Sequence, residues 1–139
     1  MRISVKIKDD VAVMELEGKF LAGSDGPFLR QKAQELMDAG FRKLLIDLTE
    51  VPYIDSTGLG FLAGSRSVAE KNGTSMVLCG VNTHVMRILD GVQLSPFFTI
   101  AADEAAAMEI LHARAKSDKA AKGRKKTQGP AGSSGETVI

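Results

Sequence analysis

The sequence predicts an α/β fold with a mixed, mostly parallel sheet and the element order ββαβαβαβα. Two strand-like segments open the chain, and strand and helix patterns then alternate to residue 112. Alternating strands and helices require right-handed crossover connections, which place the strands parallel to one another. The opening pair forms a hairpin, so one antiparallel strand is added and the sheet is mixed.

The predicted strands are of two kinds. Ile3, Val5 and Ile7 alternate with polar residues, which is the period of a half-exposed strand, and residues 11–17 form its hairpin partner after a turn. Nearly continuous apolar runs predict buried strands, since central parallel strands are covered on both faces. These runs occupy residues 43–48, 76–79 and 97–100.

Capping residues mark the four predicted helices. Side chains of the Asp, Asn and Ser type accept hydrogen bonds from the first helical N–H groups, and glycine favours the residue after a helix end. Pro27 suits a first helical turn. The predicted limits are Ser24 or Asp25 to Gly40, residues 55–73, Asn82 to Gly91, and a start at Asp103.

Charge divides the chain of 139 residues into a domain and a tail. The net charge is +1, but residues 116–139 alone carry about +4, which leaves residues 1–115 mildly acidic. The tail has no core-forming residues before its last two, so we predict a folded domain at 1–115 and a disordered basic tail at 116–139. The domain has no evident basic face, which argues against direct nucleic-acid binding.

The remaining composition predicts a cytoplasmic protein. Cys79 is the single cysteine, which excludes an internal disulfide framework and any multi-cysteine zinc site. The apolar runs are far shorter than the roughly 20 residues of a membrane span, and the first residues lack a signal-peptide pattern. We therefore expect no membrane association.

The most informative segment lies between the buried strand at 43–48 and the second helix. It reads Asp55-Ser56-Thr57-Gly58-Leu59-Gly60. A hydroxyl at a helix N-terminus meets unpaired N–H groups and a dipole that favour negative charge, so a phosphate on Ser56 would lie in a favourable field. Gly58 and Gly60 would let a kinase approach the backbone closely. The same Asp-Ser-Thr run is also an ordinary N-cap cluster, and both interpretations are open.

Catalytic interpretations of this segment match the sequence poorly. Gly58, Gly60 and Gly64 follow a strand, but the third glycine is one position late for a dinucleotide fingerprint. A nucleophilic Ser56 with His84 as its base would need a Gly-x-Ser-x-Gly elbow, which is absent.

Metal and thiol chemistry is not favoured either. His84 and His112 fall on separate predicted helices, so converging metal ligands are not expected. Cys79 ends a buried strand, where a small core residue is more common than a reactive thiol. We predict that the protein is not an enzyme and that it uses no cofactor and no metal.

The segment 55–60 closely resembles the signature of anti-sigma-factor antagonists, which are bacterial members of the STAS domain family. Gly18, the strand at 45–48, and residues 85–91 followed by 98–103 also fall in the family's order and spacing. The resemblance covers about residues 3–112. It implies a STAS-like fold and a partner-switching cycle controlled by phosphate on Ser56.

In that cycle, the unphosphorylated antagonist binds an anti-sigma factor that is also a serine kinase, and phosphorylation of Ser56 releases it. A PP2C-type phosphatase restores the active form. The alternative is a STAS module that does not switch, in a stressosome-like scaffold or a lipid-transport complex. The partner-binding residues implied are Asp55, Ser56, Thr57, Gly58, Leu59, Gly60 and Phe61.

Two features around this segment carry further expectations. Family members commonly place an acidic residue shortly after the hairpin's final glycine, where this chain has Leu21, and Asp25 lies four residues later. Phe61 and Val68 are seven residues apart and share a helical face. They either pack against a neighbouring segment or form part of a partner-binding patch.

Overall fold

The computed structural model describes residues 1–20 and 25–113, which form one mixed sheet with helices on both faces. The predicted tail at 116–139 and Leu21 lie outside the described residues. The elements are β1 Arg2–Lys8, β2 Val11–Glu17, α1 Asp25–Asp38, β3 Lys43–Glu50, α2 Ser56–Lys71, β4 Ser75–Cys79, α3 Thr83–Gly91, a 3-10 turn Ser95–Phe97, β5 Ile100–Ala101 and α4 at 104–113.

The five strands are arranged in chain order, β1-β2-β3-β4-β5. β1 pairs with β2 antiparallel, with Val5 opposite Met14, and the other three pairs are parallel. This topology confirms the predicted mixed, mostly parallel sheet. The carboxyl ends of β2, β3 and β4 meet at one edge, which is where loops of parallel α/β proteins usually carry function.

The helices divide unequally between the two faces. α1, α2 and α3 cover one face and bury Leu29, Leu62 and Leu89 against it. α4 alone covers the other face and buries Leu111 there. Of the helices in the described residues, none is long and apolar enough to cross a membrane.

Burial on both faces explains the apolar run of β3. Leu44 and Ile46 point toward α1, α2 and α3, while Leu45 between them points toward α4, and all three are fully buried. Alternate residues of a strand face opposite sides of a sheet, so a strand covered on both faces has no position for an exposed side chain.

The edge strand β1 is more exposed than its alternating pattern predicted. Ile3 is partly buried, but Val5 is 38% exposed and Ile7 is 54% exposed. These side chains point to the face that carries α1, since their partners on β2 belong to the core on that face. β1 therefore extends the sheet beyond the part that the helices cover.

The predicted last strand at 97–100 is wrong in its position. Ser95–Phe97 form a 3-10 turn, with Phe97 N donating to Leu94 O at 2.9 Å, and β5 is only Ile100–Ala101. Pro96 cannot donate a ladder hydrogen bond and its φ suits a helical turn, so the apolar run bends before it reaches β4. Phe98 is nevertheless buried in the core.

Most capping predictions hold where the structure describes them, but Gly91, predicted to close α3, is its last helical residue, and Val92 is the C-cap. Gly40 follows α1 with φ +102°, and Phe41 N donates back to Leu36 O at 3.1 Å. Asn82 accepts from Val85 N at 2.7 Å, and Asp103 accepts from Ala106 N at 2.9 Å. Each contact satisfies a backbone group that a helix end would otherwise leave unpaired.

Gly80, directly after β4, combines a left-handed backbone with a close approach to β3. Its φ is +71°, and a Cβ at this position would lie 2.8 Å from Thr49 N and closer still to Thr49 Oγ1. Gly73 has the same φ but open space around its Cα. Alanine substitutions at the two glycines therefore distinguish the cost of the left-handed backbone, present at both, from the cost of a clash with Thr49, present only at position 80.

We predict that Gly80→Ala destabilises the fold more than Gly73→Ala. The left-handed conformation costs an alanine about 1–2 kcal/mol at either position. Overpacking against the β3 backbone adds about 1–3 kcal/mol at position 80 alone. Urea unfolding followed by circular dichroism measures both free energies of unfolding. Equal losses for the two variants would show that β3 yields to the added methyl group without strain.

Candidate functional site

The start of α2 is built on a capped turn at the carboxyl edge of the sheet. Asp55 has an extended backbone (φ −85°, ψ 170°), and its Oδ1 accepts a hydrogen bond from Gly58 N at 2.6 Å. Leu59 N donates to Asp55 O at 3.0 Å, which begins the helical ladder. Asp55 therefore has the geometry of the predicted N-cap, and Ser56 is the first helical residue.

The hydroxyl residues Ser56 and Thr57 are both exposed, whereas Asp55 is only partly exposed. Within the described residues, Asp55 is the acidic group nearest in sequence to the first turn, and its carboxylate is engaged in the cap. Ser56 is thus accessible to an enzyme, and its position lies beside a fixed negative charge and a helix N-terminus.

Phe20, in the segment that follows β2, fixes the turn before α2 by backbone hydrogen bonds. Its N–H donates to Tyr53 O at 2.9 Å, and its carbonyl accepts from Asp55 N at 3.3 Å, so the chain after β2 forms a parallel bridge with Ile54. Phe20 and Ile54 are both fully buried. The residues before Ser56 are consequently fixed by the core as well as by their own turn.

The three glycines of α2 lie in different surroundings. A Cβ on Gly58 would lie 3.0 Å from three atoms, namely Asp55 Oδ1, Phe20 Cδ1 and Phe20 O. A Cβ on Gly60 or Gly64 would meet no atom within 4 Å in the described part of the chain. Close packing accounts for the glycine at 58, but it does not account for those at 60 and 64.

The apolar residues of the segment face inward to different degrees. Leu59 is 1% exposed and belongs to the core. Phe61 is half-buried, and its ring packs so closely on α1 that a Cβ at Gly26 would overlap it. Val68 lies further along the same groove between α1 and α2. Phe61 thus packs against α1, Val68 lines the groove beside α1, and part of each side chain remains accessible.

Tyr53 and His84 add an aromatic pair that sequence reasoning missed. Their rings stack with centroids 5.5 Å apart and planes inclined by 29°, and both residues are exposed. Asn82 fixes this arrangement, because its Nδ2 donates to Val51 O at 3.1 Å while its Oδ1 caps α3. The two residues lie on separate elements, so spacing along the chain gave no signal of their contact.

The geometry gives no support to the catalytic hypotheses. His84 stacks on Tyr53, and among the described residues no hydrogen bond joins it to Ser56. Burial raises the pKa of the Cys79 thiol to about 12, so Cys79 is a core residue and not a reactive nucleophile.

A group of three carboxylates lies on the α4 face of the sheet, away from Ser56. Oxygens of Glu15, Asp47 and Glu104 are within 4.8 Å of one another. Lys6 reaches Glu15 at 3.2 Å and Glu104 at 3.4 Å, and Lys8 reaches Glu104 at 2.9 Å. Hydrogen bonds to Glu15 and Glu104 raise the pKa of Lys6, and those from Lys8 and Lys6 lower the pKa of Glu104. The lysines therefore already supply positive charge to this group.

The model of the STAS domain family matches residues 2–107 of the chain. The chain belongs to the STAS domain family. The anti-sigma-B factor antagonist of Listeria monocytogenes is 32% identical over 105 residues, covering 72% of this chain and 90% of that protein. The positions that the resemblance singled out at 55–61 thus lie in a STAS domain, at the start of its helix α2.

Two solved structures share the fold of this chain. The crystal structure of a putative anti-sigma factor antagonist from Thermotoga maritima has a TM-score of 0.73 at 22% identity, covering 79% of this chain and 94% of that one. The phosphorylated form of SpoIIAA, a Bacillus cell fate determinant, has a TM-score of 0.60 at 16% identity, covering 78% of this chain and 99% of that one.

We predict opposite effects on stability for alanine at two signature glycines of this STAS domain. Gly58→Ala should destabilise the fold by about 1–3 kcal/mol, because the methyl group is pressed against Phe20 and the Asp55 cap. Gly60→Ala should stabilise it by up to about 1 kcal/mol, because alanine is the better helix former and space is open. Urea unfolding of both variants beside the wild type checks this. Destabilisation by Gly60→Ala would show that its glycine has a structural role.

Proposed function

We propose that this STAS domain is an anti-sigma-factor antagonist that binds an anti-sigma factor with serine kinase activity. The unphosphorylated form binds, phosphorylation of Ser56 by the kinase releases it, and a PP2C-type phosphatase restores it. The observation that carries the proposal is the exposed Ser56 hydroxyl in the first turn of α2, on a cap held by Asp55 and Phe20. The relative named as an anti-sigma-B factor antagonist supports it.

Electrostatics at the cap would make phosphorylation a release signal. A phosphate on Ser56 adds a charge of about −1.5 to −2. Asp55 cannot easily turn away from that charge, because its carboxylate is held at 2.6 Å from Gly58 N. In the free protein, water and the helix dipole accommodate the dianion. In an interface, the same dianion would have to be desolvated beside Asp55, so phosphate favours the free state.

The proposed contact surface consists of the exposed parts of the first two turns. Ser56, Thr57 and Gly60 are exposed, and the accessible edge of Phe61 lies beside them. Leu59 is buried, so it supports this surface from beneath. The open space at Gly60 has a natural explanation here, since a bare backbone lets the partner approach the helix closely.

Substitution of Ser56 tests the switch. We expect Ser56→Ala to bind the kinase and to accept no phosphate, and we expect Ser56→Asp to bind at least about tenfold more weakly, because it places a charge beside Asp55. Thr57→Ala is the matched control, since it removes the adjacent exposed hydroxyl. Because Thr57 belongs to the proposed contact surface, this variant should lose far less affinity than Ser56→Asp, and it should still be phosphorylated on Ser56. A pull-down from native cytosol with mass spectrometry identifies the kinase, and calorimetry and phosphosite mapping with purified proteins follow.

The outcomes separate the proposal from its alternative. Recovery of a GHKL-type kinase by the wild type and not by Ser56→Asp would support the switch. Recovery of scaffold or transport proteins by both, without a kinase, would favour a STAS module that does not switch and leave Ser56 as part of a helix cap. Phosphate mapped to Thr57 alone would contradict the assignment of the site.

Gly60 allows a second test that is independent of charge. We expect Gly60→Ala to weaken kinase binding by about tenfold or more, although the fold is at least as stable as the wild type, because the methyl group would lie between the helix backbone and the partner. Gly64→Ala is the control. It makes the same change one turn later, also in open space, and should bind normally. Equal affinities for the wild type, Gly60→Ala and Gly64→Ala would show that Gly60 is not part of the interface.

A further inference from the structure

The edge strand β1 presents an uncovered apolar row. In the described part of the chain no strand lies beyond β1, so its outer backbone groups are unpaired within the sheet. On the face that carries α1, the row consists of Ile3, Val5 and Ile7, and its exposure grows along the strand to 54% at Ile7. An unpaired edge strand of seven residues with one apolar face is a template for pairing with another strand.

Helix α1 adds an exposed aromatic ring at one end of this row. Pro27, Arg30 and Gln34 face the groove toward α2. The helical period therefore places Phe28, which is 40% exposed, on the opposite flank, above the β1 side of the sheet. α1 begins at the edge where β2 ends, and Arg2 pairs with Glu17 there. Phe28 thus lies at the Ile3 end of the row, far from Ile7.

We propose that two copies of this chain pair antiparallel through β1, with the two-fold axis at Val5. This register places Val5 opposite Val5 of the other copy and Ile3 opposite Ile7. The most exposed residue of each row then lies beside Ile3 of the other copy, at the end of the row where α1 carries Phe28. Each apolar row then packs laterally against the row of the other copy, and the two five-stranded sheets become one continuous sheet.

The basic residues on the other face of β1 do not prevent this pairing. Lysines on an edge strand usually oppose self-association, and the register places Arg2 opposite Lys8 of the other copy. Each basic side chain already has a carboxylate of its own chain. Arg2 Nε lies 3.0 Å from Glu17, Lys6 lies 3.2 Å from Glu15, and Lys8 lies 2.9 Å from Glu104. The charge across the interface is therefore balanced.

The same ion pairs favour a second copy over an acidic strand from another protein. An acidic partner would have to compete with Glu15, Glu17 and Glu104, which already neutralise the basic row. What is left unsatisfied is the apolar row and the backbone edge, and the row of a second copy complements it residue for residue. The proposal does not depend on Ser56, which lies on α2.

Sedimentation velocity of the full chain, from low micromolar to near-millimolar concentration, tests the pairing. We expect a reversible dimer for the wild type and a dissociation constant raised about tenfold or more by Ile7→Lys. Ile7 is largely exposed in one copy, so this variant should fold normally. Val92→Lys is the matched control, because Val92 is 46% exposed at the end of α3, and it should dimerise as the wild type does. A wild type that stays monomeric throughout, or equal effects of the two lysines, would overturn the proposal.

A cysteine at the proposed axis tests the register. We expect Val5→Cys to form a disulfide-linked dimer under mild oxidation, since the two introduced thiols would face each other across the two-fold axis. Val92→Cys, similarly exposed but remote from β1, should remain monomeric on a denaturing gel. Cys79 is buried and does not interfere. Equal cross-linking of both variants, or none with Val5→Cys, would contradict the antiparallel register.

Discussion

Phe20 joins the end of β2 to the start of α2 through both its backbone and its ring. Its N–H and C=O bond to Tyr53 and Asp55, on either side of Ile54, and its ring and carbonyl lie where a Cβ of residue 58 would have to fit. Because Phe20 is fully buried, this arrangement is tied to the core. The cap on α2 cannot shift without disturbing the sheet.

A fixed cap suits a local switch. The first turn of α2 needs no rearrangement to expose Ser56, since its hydroxyl is already at the surface. The energetic effect of a phosphate would then come from charge and desolvation at the point of contact. In this view the domain acts as a rigid platform, and regulation requires only that the partner tolerate the neutral hydroxyl and not the dianion.

The parts of the fold that follow from local chemistry could be predicted from the sequence. The apolar run of β3 and the caps at Asp55 and Asn82 depend on neighbours within a few residues, and the structure has them as expected. The last strand could not be placed, because Pro96 turns an apolar run into a 3-10 turn. The exposure of the apolar side chains of β1 could not be predicted either, since it depends on how far α1 extends across the sheet.

The helix start that forms the candidate site could be predicted, but the differences among its residues could not. The segment at 55–60 has a composition typical of a helix start, but nothing in the sequence distinguishes the surroundings of Gly58 from those of Gly60. Their difference arises from Phe20, which is distant in sequence and lies close to Gly58 but not to Gly60. The stacking of Tyr53 on His84 is a contact of the same kind, between residues that only the folded topology brings together.

The open backbone at Gly60 places helix stability and partner recognition in conflict, whereas Gly64 has open space but lies outside the proposed contact surface. Alanine would fit both positions and would strengthen the helix, so the fold itself gives no reason to keep glycine there. A library of variants selected for heat resistance alone would drift toward alanine in this helix. Consensus or automated stabilisation of this domain should therefore leave Gly60 unchanged wherever partner binding has to be retained, while Gly64 can be replaced.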